Sequence, residues 1–301
     1  MILLLLILAK LSWAGCNNLR LTLANSTVDL TPNTAPSLNL TVKRSGSGGC
    51  DYFITFGYGN ASTYADRKLS QGSYSIPVNI YRDSNHTQIL KKLPEAATVT
   101  DVIYGSFPSG TSNPNSTVHT YYPQLGTVAY NRFGEYSDTY TVSVYEYTGG
   151  LSGSLEDSEN LKLKYTMTKK IDLSLMATGA PFNVADTTET MNFGTLTAGA
   201  VRTFDIGVKY NAGYRVRLSS ANQGRLKHAS LTDTVPYTLQ VNSSAVNLNG
   251  SNTTPIQVST GTGVSPPNGL VLTSSVTIGA LGSARAGTYS DTVTVTVVTT
   301  E

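Results

Sequence analysis

Three histidines, His86, His119 and His228, are the side chains best suited to moving protons or binding a metal near neutral pH. They are scattered along the chain, and none has the spacing of a metal site. Asp66, Asp83, Glu95 and Asp101 could supply a carboxylate pair for acid–base chemistry, but loop solvation is the ordinary role of such residues. Tyr136 with Asp138, and Tyr289 with Asp291, could form an acid site. Each pair belongs to one copy of a repeated stretch, and a feature kept in both copies points to architecture. No Gly-x-Ser-x-Gly, His-Glu-x-x-His or glycine-rich loop opening a helix is present. The residues therefore predict a protein that is not an enzyme and holds no metal or cofactor.

The repeat is the strongest signal in the chain. Residues 134–144 read GEYSDTYTVSV and residues 287–297 read GTYSDTVTVTV. An echo this close predicts one structural unit built twice. Tyr289, Val293, Val295 and Val297 fall on one face and Thr292, Thr294 and Thr296 on the other, the period of a half-buried antiparallel strand. The opening Gly-x-Tyr-Ser-Asp reads as a turn, with Ser and Asp bonding local amides and Tyr packing as a structural corner.

Composition agrees. The 301 residues carry 21 basic and 19 acidic side chains. That balance gives no nucleic-acid footprint. Thr, Ser, Gly, Asn, Tyr and Val are abundant and long helical patterns are absent, which predicts an all-β chain of two domains. Residues 1–14, MILLLLILAKLSWA, read as a secretory signal peptide with cleavage after Ala14, and the apolar run is too short to span a membrane. A lipid-modified Cys16 is the rival reading, and Trp13 fits that signal poorly. Cys16 and Cys50 are the only cysteines, and a lone pair in an exported chain predicts a disulfide.

Alternating runs predict strands at residues 19–30, 38–43, 51–57, 74–82, 99–107, 117–122 and the first repeat. Residues 160–176 read as two strands in series, with the domain boundary at Lys169–Lys170. The second half repeats the order from residue 171. Asp66-Arg67-Lys68-Leu69 before YSIPVNIYR echoes Gly224-Arg225-Leu226-Lys227 before VPYTLQV. The expected domains are 15–168 and 169–301, two tandem immunoglobulin-like antiparallel β-sandwiches, the second lacking its last strand.

Signal, Cys near the mature start, second Cys after the second strand, Arg-Lys-Leu loop and closing Gly-x-Tyr-x-Asp together resemble the spore coat protein U domain, in both halves and more completely in the first. The resemblance implies a subunit of an archaic chaperone–usher pilus. Such subunits are incomplete sandwiches that take their last strand from a neighbouring pilin. The implied partners are a pilin donating a β-strand, a periplasmic chaperone and an outer-membrane usher, with secretion through the periplasm. Only Gly15 precedes Cys16 after the expected cleavage, so no donor arm is expected. Residues 161–167 would complete the first domain in cis, while the second ends at its repeated strand. That combination predicts a tip adhesin promoting surface attachment and biofilm formation. Its acceptor groove is expected to be lined by Leu173, Leu175, Tyr289, Val293, Val295 and Val297.

Adhesion to a surface or host ligand is expected at the first domain's free pole. The loops at residues 84–94 and 148–160 carry Ile89, Leu90, Leu93, Leu151 and Leu155 there, apolar residues that the strand pattern does not require. The alternative function is a secreted carbohydrate-binding sandwich, stacking sugars on Tyr58, Tyr64, Tyr104, Tyr121 and Tyr122.

Overall fold

β-Branched and aromatic residues at alternate positions, broken by Gly, Pro and Asn, make twenty strands among the described residues. Two single-turn 3-10 helices, Tyr64–Asp66 and Val99–Asp101, accompany them. The structure is a computed structural model that describes Cys16, residues 18–110 and residues 115–300. The expected signal peptide, residues 1–14, lies outside the described residues. The chain divides into two units, Met1–Ala129 with Glu135–Thr166, and Tyr130–Gly134 with Met167–Glu301.

The first unit holds β1 (Arg20–Leu23), β2 (Thr27–Asp29), β3 (Leu38–Lys43), β4 (Cys50–Phe56), β5 (Lys68–Gln71), β6 (Tyr74–Tyr81), β7 (Ile103–Phe107), β8 (Ser116–Leu125), β9 (Gly134–Tyr147) and β10 (Leu155–Met167). One layer runs β1-β3-β8-β6 and the other β7-β4-β9-β10-β2, with β5 bonded to β6 and meeting β9 at Ser70 and Ser137. The layers meet through rings. Phe56 packs on Tyr121 at 5.1 Å, and the Tyr52 hydroxyl lies 2.8 Å from His119 Nε2. Burial holds the His119 pKa below its ordinary value.

The expected single strand over residues 19–30 is divided. β1 pairs antiparallel with β3 in one layer, and β2 pairs parallel with β10 in the other. The bend lets Leu21 and Val28, 2% and 8% exposed, enter the core from different layers.

The second unit holds β11 (Ile171–Ala177), β12 (Val201–Tyr210), β13 (Tyr214–Ser220), β14 (Arg225–His228), β15 (Thr234–Val241), β16 (Ser244–Val246), β17 (Ile256–Gly261), β18 (Leu270–Ile278), β19 (Tyr289–Ser290) and β20 (Val293–Thr299). One layer runs β11-β12-β18-β15-β14-β19 and the other β17-β13-β20. β14 and β17 are strands of weak alternation, placed by backbone pairing with β15 and β13. The core gathers Ile206, Val208, Val216, Leu218 and Leu272. Pairing order equates the units strand by strand: β1-β3-β8-β6-β5 with β11-β12-β18-β15-β14, and β7-β4-β9 with β17-β13-β20.

Candidate functional site: the open side of the second unit

The repeated stretch does the same job twice. Asp138 accepts hydrogen bonds from the amides of Asn60 and Thr139 at 2.9 and 2.8 Å. Asp291 accepts from the amides of Asn222 and Thr292 at the same 2.9 and 2.8 Å. Each carboxylate thus ties the start of its strand to the loop leaving the central strand of that layer. Asp291 also accepts from the Ser220 hydroxyl at 2.5 Å and the Tyr237 hydroxyl at 2.6 Å. Every donor is structural, so Asp138 and Asp291 are corner anchors. Both copies open on a glycine at positive φ, Gly134 at 126° and Gly287 at 156°. A Cβ on Gly287 would sit 2.0 Å from the His228 ring.

The echo between Arg67 and Arg225 is corrected by one residue. Lys68 pairs with Pro77 and Arg225 with Pro236, so Arg225 stands where Lys68 does and Gly224 where Arg67 does. Ser70 opposite Ser137 and Lys227 opposite Ser290 fix the same register. Arg67 is 1% exposed. It donates to the carbonyls of Gly57 at 3.0 Å and Phe56 at 2.6 Å, and burial lowers its pKa to about 10. In the second unit the side chain nearest this position is that of Leu248, whose Cβ would lie 3.2 Å from a Cβ on Gly224.

Beyond the repeat the two units differ. In the first, β10 lies between β9 and β2. Lys162 N donates to Ser26 O and Leu30 N to Lys164 O, both at 2.8 Å. Under this strand Tyr136, Tyr140, Val142, Val144, Leu161 and Leu163 are all 0% exposed. In the second unit, β20 pairs with β13 on one edge, and among the described residues no strand pairs with its other edge. β11 and β20 approach each other across this open side. Val293, Val295 and Val297, the counterparts of Tyr140, Val142 and Val144, are only partly buried, as are Leu173 and Leu175 of β11.

Five of the six expected groove residues thus pack against one core. Tyr289 does not join them: its ring packs edge-on against His228 at 5.0 Å and its hydroxyl donates to Arg285 O at 2.7 Å. Tyr289 keeps the register of Tyr136, with Ser290 opposite Lys227 as Ser137 is opposite Ser70, but it is half-buried where Tyr136 is fully buried. Sequence reasoning missed Met191 and Phe193, which pack against the same core from the segment between β11 and β12. Their alternation, Met-x-Phe, matches Val28-x-Leu30 around β2 and was the available signal.

The apolar loop residues of the first unit lie at different depths. Leu90 is 0% exposed, with its amide bonded to Ile80 O at 2.9 Å, and so belongs to the core. Ile89 is half-buried opposite Tyr81. Leu93 and Leu151 pack on Phe53, Ala96 and Val102. Phe53 alternates with the inward Tyr52 and Ile54, so it points out of the sandwich, where it stacks on Tyr145 at 5.1 Å. Both loops fold over that outward aromatic face. Leu155, at 56% exposure, is the exposed member of the set and opens β10.

The remaining candidates have structural partners. Cys16 and Cys50 are bonded, with Cα atoms 5.2 Å apart. Asp101 caps Ala97 and Thr98 and pairs with Lys91 at 2.9 Å, and Asp83 caps Thr87 and Gln88. Tyr58 and Tyr121 are in the core at 3% and 0% exposure, unavailable to a sugar, while Tyr64, Tyr104 and Tyr122 are half-buried. Among the described residues no group of His, Cys, Asp or Glu could hold a metal, and no helix is long and apolar enough to cross a membrane.

One solved structure similar to this chain is the complex of the chaperone CsuC with the tip adhesion subunit CsuE, from archaic chaperone-usher Csu pili of Acinetobacter baumannii. The match has 15% identity and a TM-score of 0.46, covering 92% of this chain and 99% of that one. The CupB6 tip adhesin of Pseudomonas aeruginosa matches with 13% identity and a TM-score of 0.36, covering 94% and 93%. No match was found among curated proteins. These neighbours are adhesins, not enzymes. Residues 7–143 match the family model of the Spore Coat Protein U domain.

Proposed function

We propose that this protein is the end subunit of a chaperone–usher pilus, an adhesin whose second sandwich accepts a β-strand from the next pilin. The observation that carries this reading is the contrast across the repeat. β10 closes the first unit over β9, while β20 presents an edge unpaired among the described residues and half-buried valines in the second. An extended strand added there would pair the free backbone groups and cover Leu173, Leu175, Val293, Val295 and Val297. A periplasmic chaperone would hold the same side before assembly at an outer-membrane usher. The spore coat protein U match of the first half and the all-β architecture support the reading.

Attachment to a surface, and with it biofilm formation, falls to the first domain. Of the residues expected to make contact, Leu155 is exposed and Ile89, Leu93 and Leu151 are half-buried, so the surface we propose is the loop cover over Phe53 with the start of β10 beside it. The test is to mix the exported chain with the N-terminal segment of its partner pilin and follow thermal unfolding. The segment should raise the transition of the second unit, and Val295→Asp should abolish the gain. No gain for the native chain would refute the acceptor role. Leu155→Ser with Leu151→Ser should leave fibres intact and weaken attachment.

A further inference from the structure

We propose that the strand accepted by the second unit carries carboxylates on its outward side, and that Arg215 and Arg217 select it by charge. This inference rests on the acceptor reading and names the chemistry of its partner. β13 is the middle strand of its layer, bonded to β17 on one edge and to β20 on the other. Val216 and Leu218 point into the core at 0% exposure, so Arg215 and Arg217 alternate onto the outer face. Beside them lie Thr296 and Val298 of β20 and Gln257 and Thr260 of β17, all exposed. The three strands hold no other charged residue. Among the described residues neither arginine has an ion pair, and Nε of Arg215 is buried without a hydrogen-bond partner. A guanidinium laid along a sheet with its donors unmet is suited to a carboxylate.

The first unit, which has its closing strand already, is built differently at these positions. Opposite Ser143 and Tyr145 of β9, the counterparts of Thr296 and Val298, stand the uncharged Thr55 and Phe53. Its closing strand is nevertheless matched by charge. Lys162 and Lys164, on the outward side of β10, approach Glu135 of β9 at 3.8 and 3.9 Å, and Lys164 lies 3.1 Å from Asp29 of β2. In the second unit Thr288 stands at the place of Glu135, and the layer offers an added strand the two arginines instead. Neighbouring strands are about 4.8 Å apart, so β13 and a strand on the free edge of β20 would be about 10 Å apart. Between them stand only the small side chains of β20, and long side chains leaning toward each other over Thr296 and Val298 close that gap. Residues two apart on a strand are separated by about 7 Å, so carboxylates at two alternate positions of the incoming strand match the arginine pair. Lysines at those positions would be repelled.

The test uses the full exported chain and the N-terminal segment of its partner pilin. The segment should carry Asp or Glu at two alternate outward positions; a segment with neither would overturn the proposal. Arg215→Gln with Arg217→Gln should weaken its binding about tenfold at low ionic strength and leave it unchanged in about 1 M salt. Arg215→Lys with Arg217→Lys, which keeps the charge, should retain most of the affinity. Amide replacements of the outward carboxylates should weaken binding to the native chain by the same factor and add nothing to the loss in the glutamine variant. Binding unaffected by the glutamine changes would overturn this inference and leave the acceptor reading standing, whereas no binding by the native chain would overturn both. Heparin binding equally well to the native chain with and without the segment would also overturn the inference, because the arginines would then serve an anionic polysaccharide.

Discussion

The strand that opens Gly-x-Tyr-Ser-Asp meets two fates in this molecule. In the first unit its inward residues are sealed beneath β10, whose other edge is held by β2. In the second, the same pattern stays half-buried because the neighbouring position is unpaired among the described residues. The alternation of Thr and Val decides which face points inward; a strand from elsewhere decides how completely that face leaves water. Two nearly identical sequences thus provide one edge that is paired and one that is unpaired among the described residues.

That contrast can be broken most strongly at the strand that creates it. Leu163→Ala in β10 should cost the first unit about 2–5 kcal/mol in denaturant unfolding, since the side chain is 0% exposed. A cost below about 1 kcal/mol would mean that β10 does not close the core. Next comes the matched pair Val142→Ala and Val295→Ala. The first should cost about 2–3 kcal/mol and the second about 1 kcal/mol or less, because only Val142 is fully enclosed. Equal losses would erase the distinction between the units.

The corner anchors sharpen the comparison from the other direction, since here the units should behave alike. Asp138→Ala and Asp291→Ala should each cost about 1–3 kcal/mol by releasing the amides of Asn60 and Asn222. The loss at Asp291 should be the larger, because Ser220 and Tyr237 also bond it. The smallest effect lies at the surface of the second unit. Hydrogen bonds from the Arg285 side chain and then its amide hold Asp233 well below the usual carboxylate range. A depressed carboxylate contributes above its unfolded pKa of about 3.9, and its contribution fades as pH falls below that value. Hydrogen exchange around β14 and β19 should rise below about pH 4 in the native chain. In Arg285→Gln it should already be high at neutral pH.

Much of this was legible in the sequence. The repeat and its alternation announce an all-β chain, and the two cysteines announce their bond. Three features were not legible, each for a physical reason. β14 is a four-residue strand with little apolar alternation, so nothing local set the register of Arg225, and cross-strand pairing decided it. Leu90 and Leu151 look superfluous until Phe53 and Tyr145 are seen to stack on the outward face of β4 and β9, a demand made from distant parts of the chain. β10 begins at Leu155 rather than Leu161 because its polar first half is held by backbone pairing with β9, which needs no hydrophobic signal.

The central claim, one closed edge and one open, is tested most directly by native-state hydrogen exchange of the full chain, read residue by residue along β9 and β20. Amides on alternate residues of a strand point to opposite neighbours. The account predicts protection at every amide in the middle of β9. Along β20 it predicts protection only at alternate positions, those bonded to β13, with the others exchanging at least about a hundredfold faster. Uniform protection along β20 in the isolated chain would contradict it.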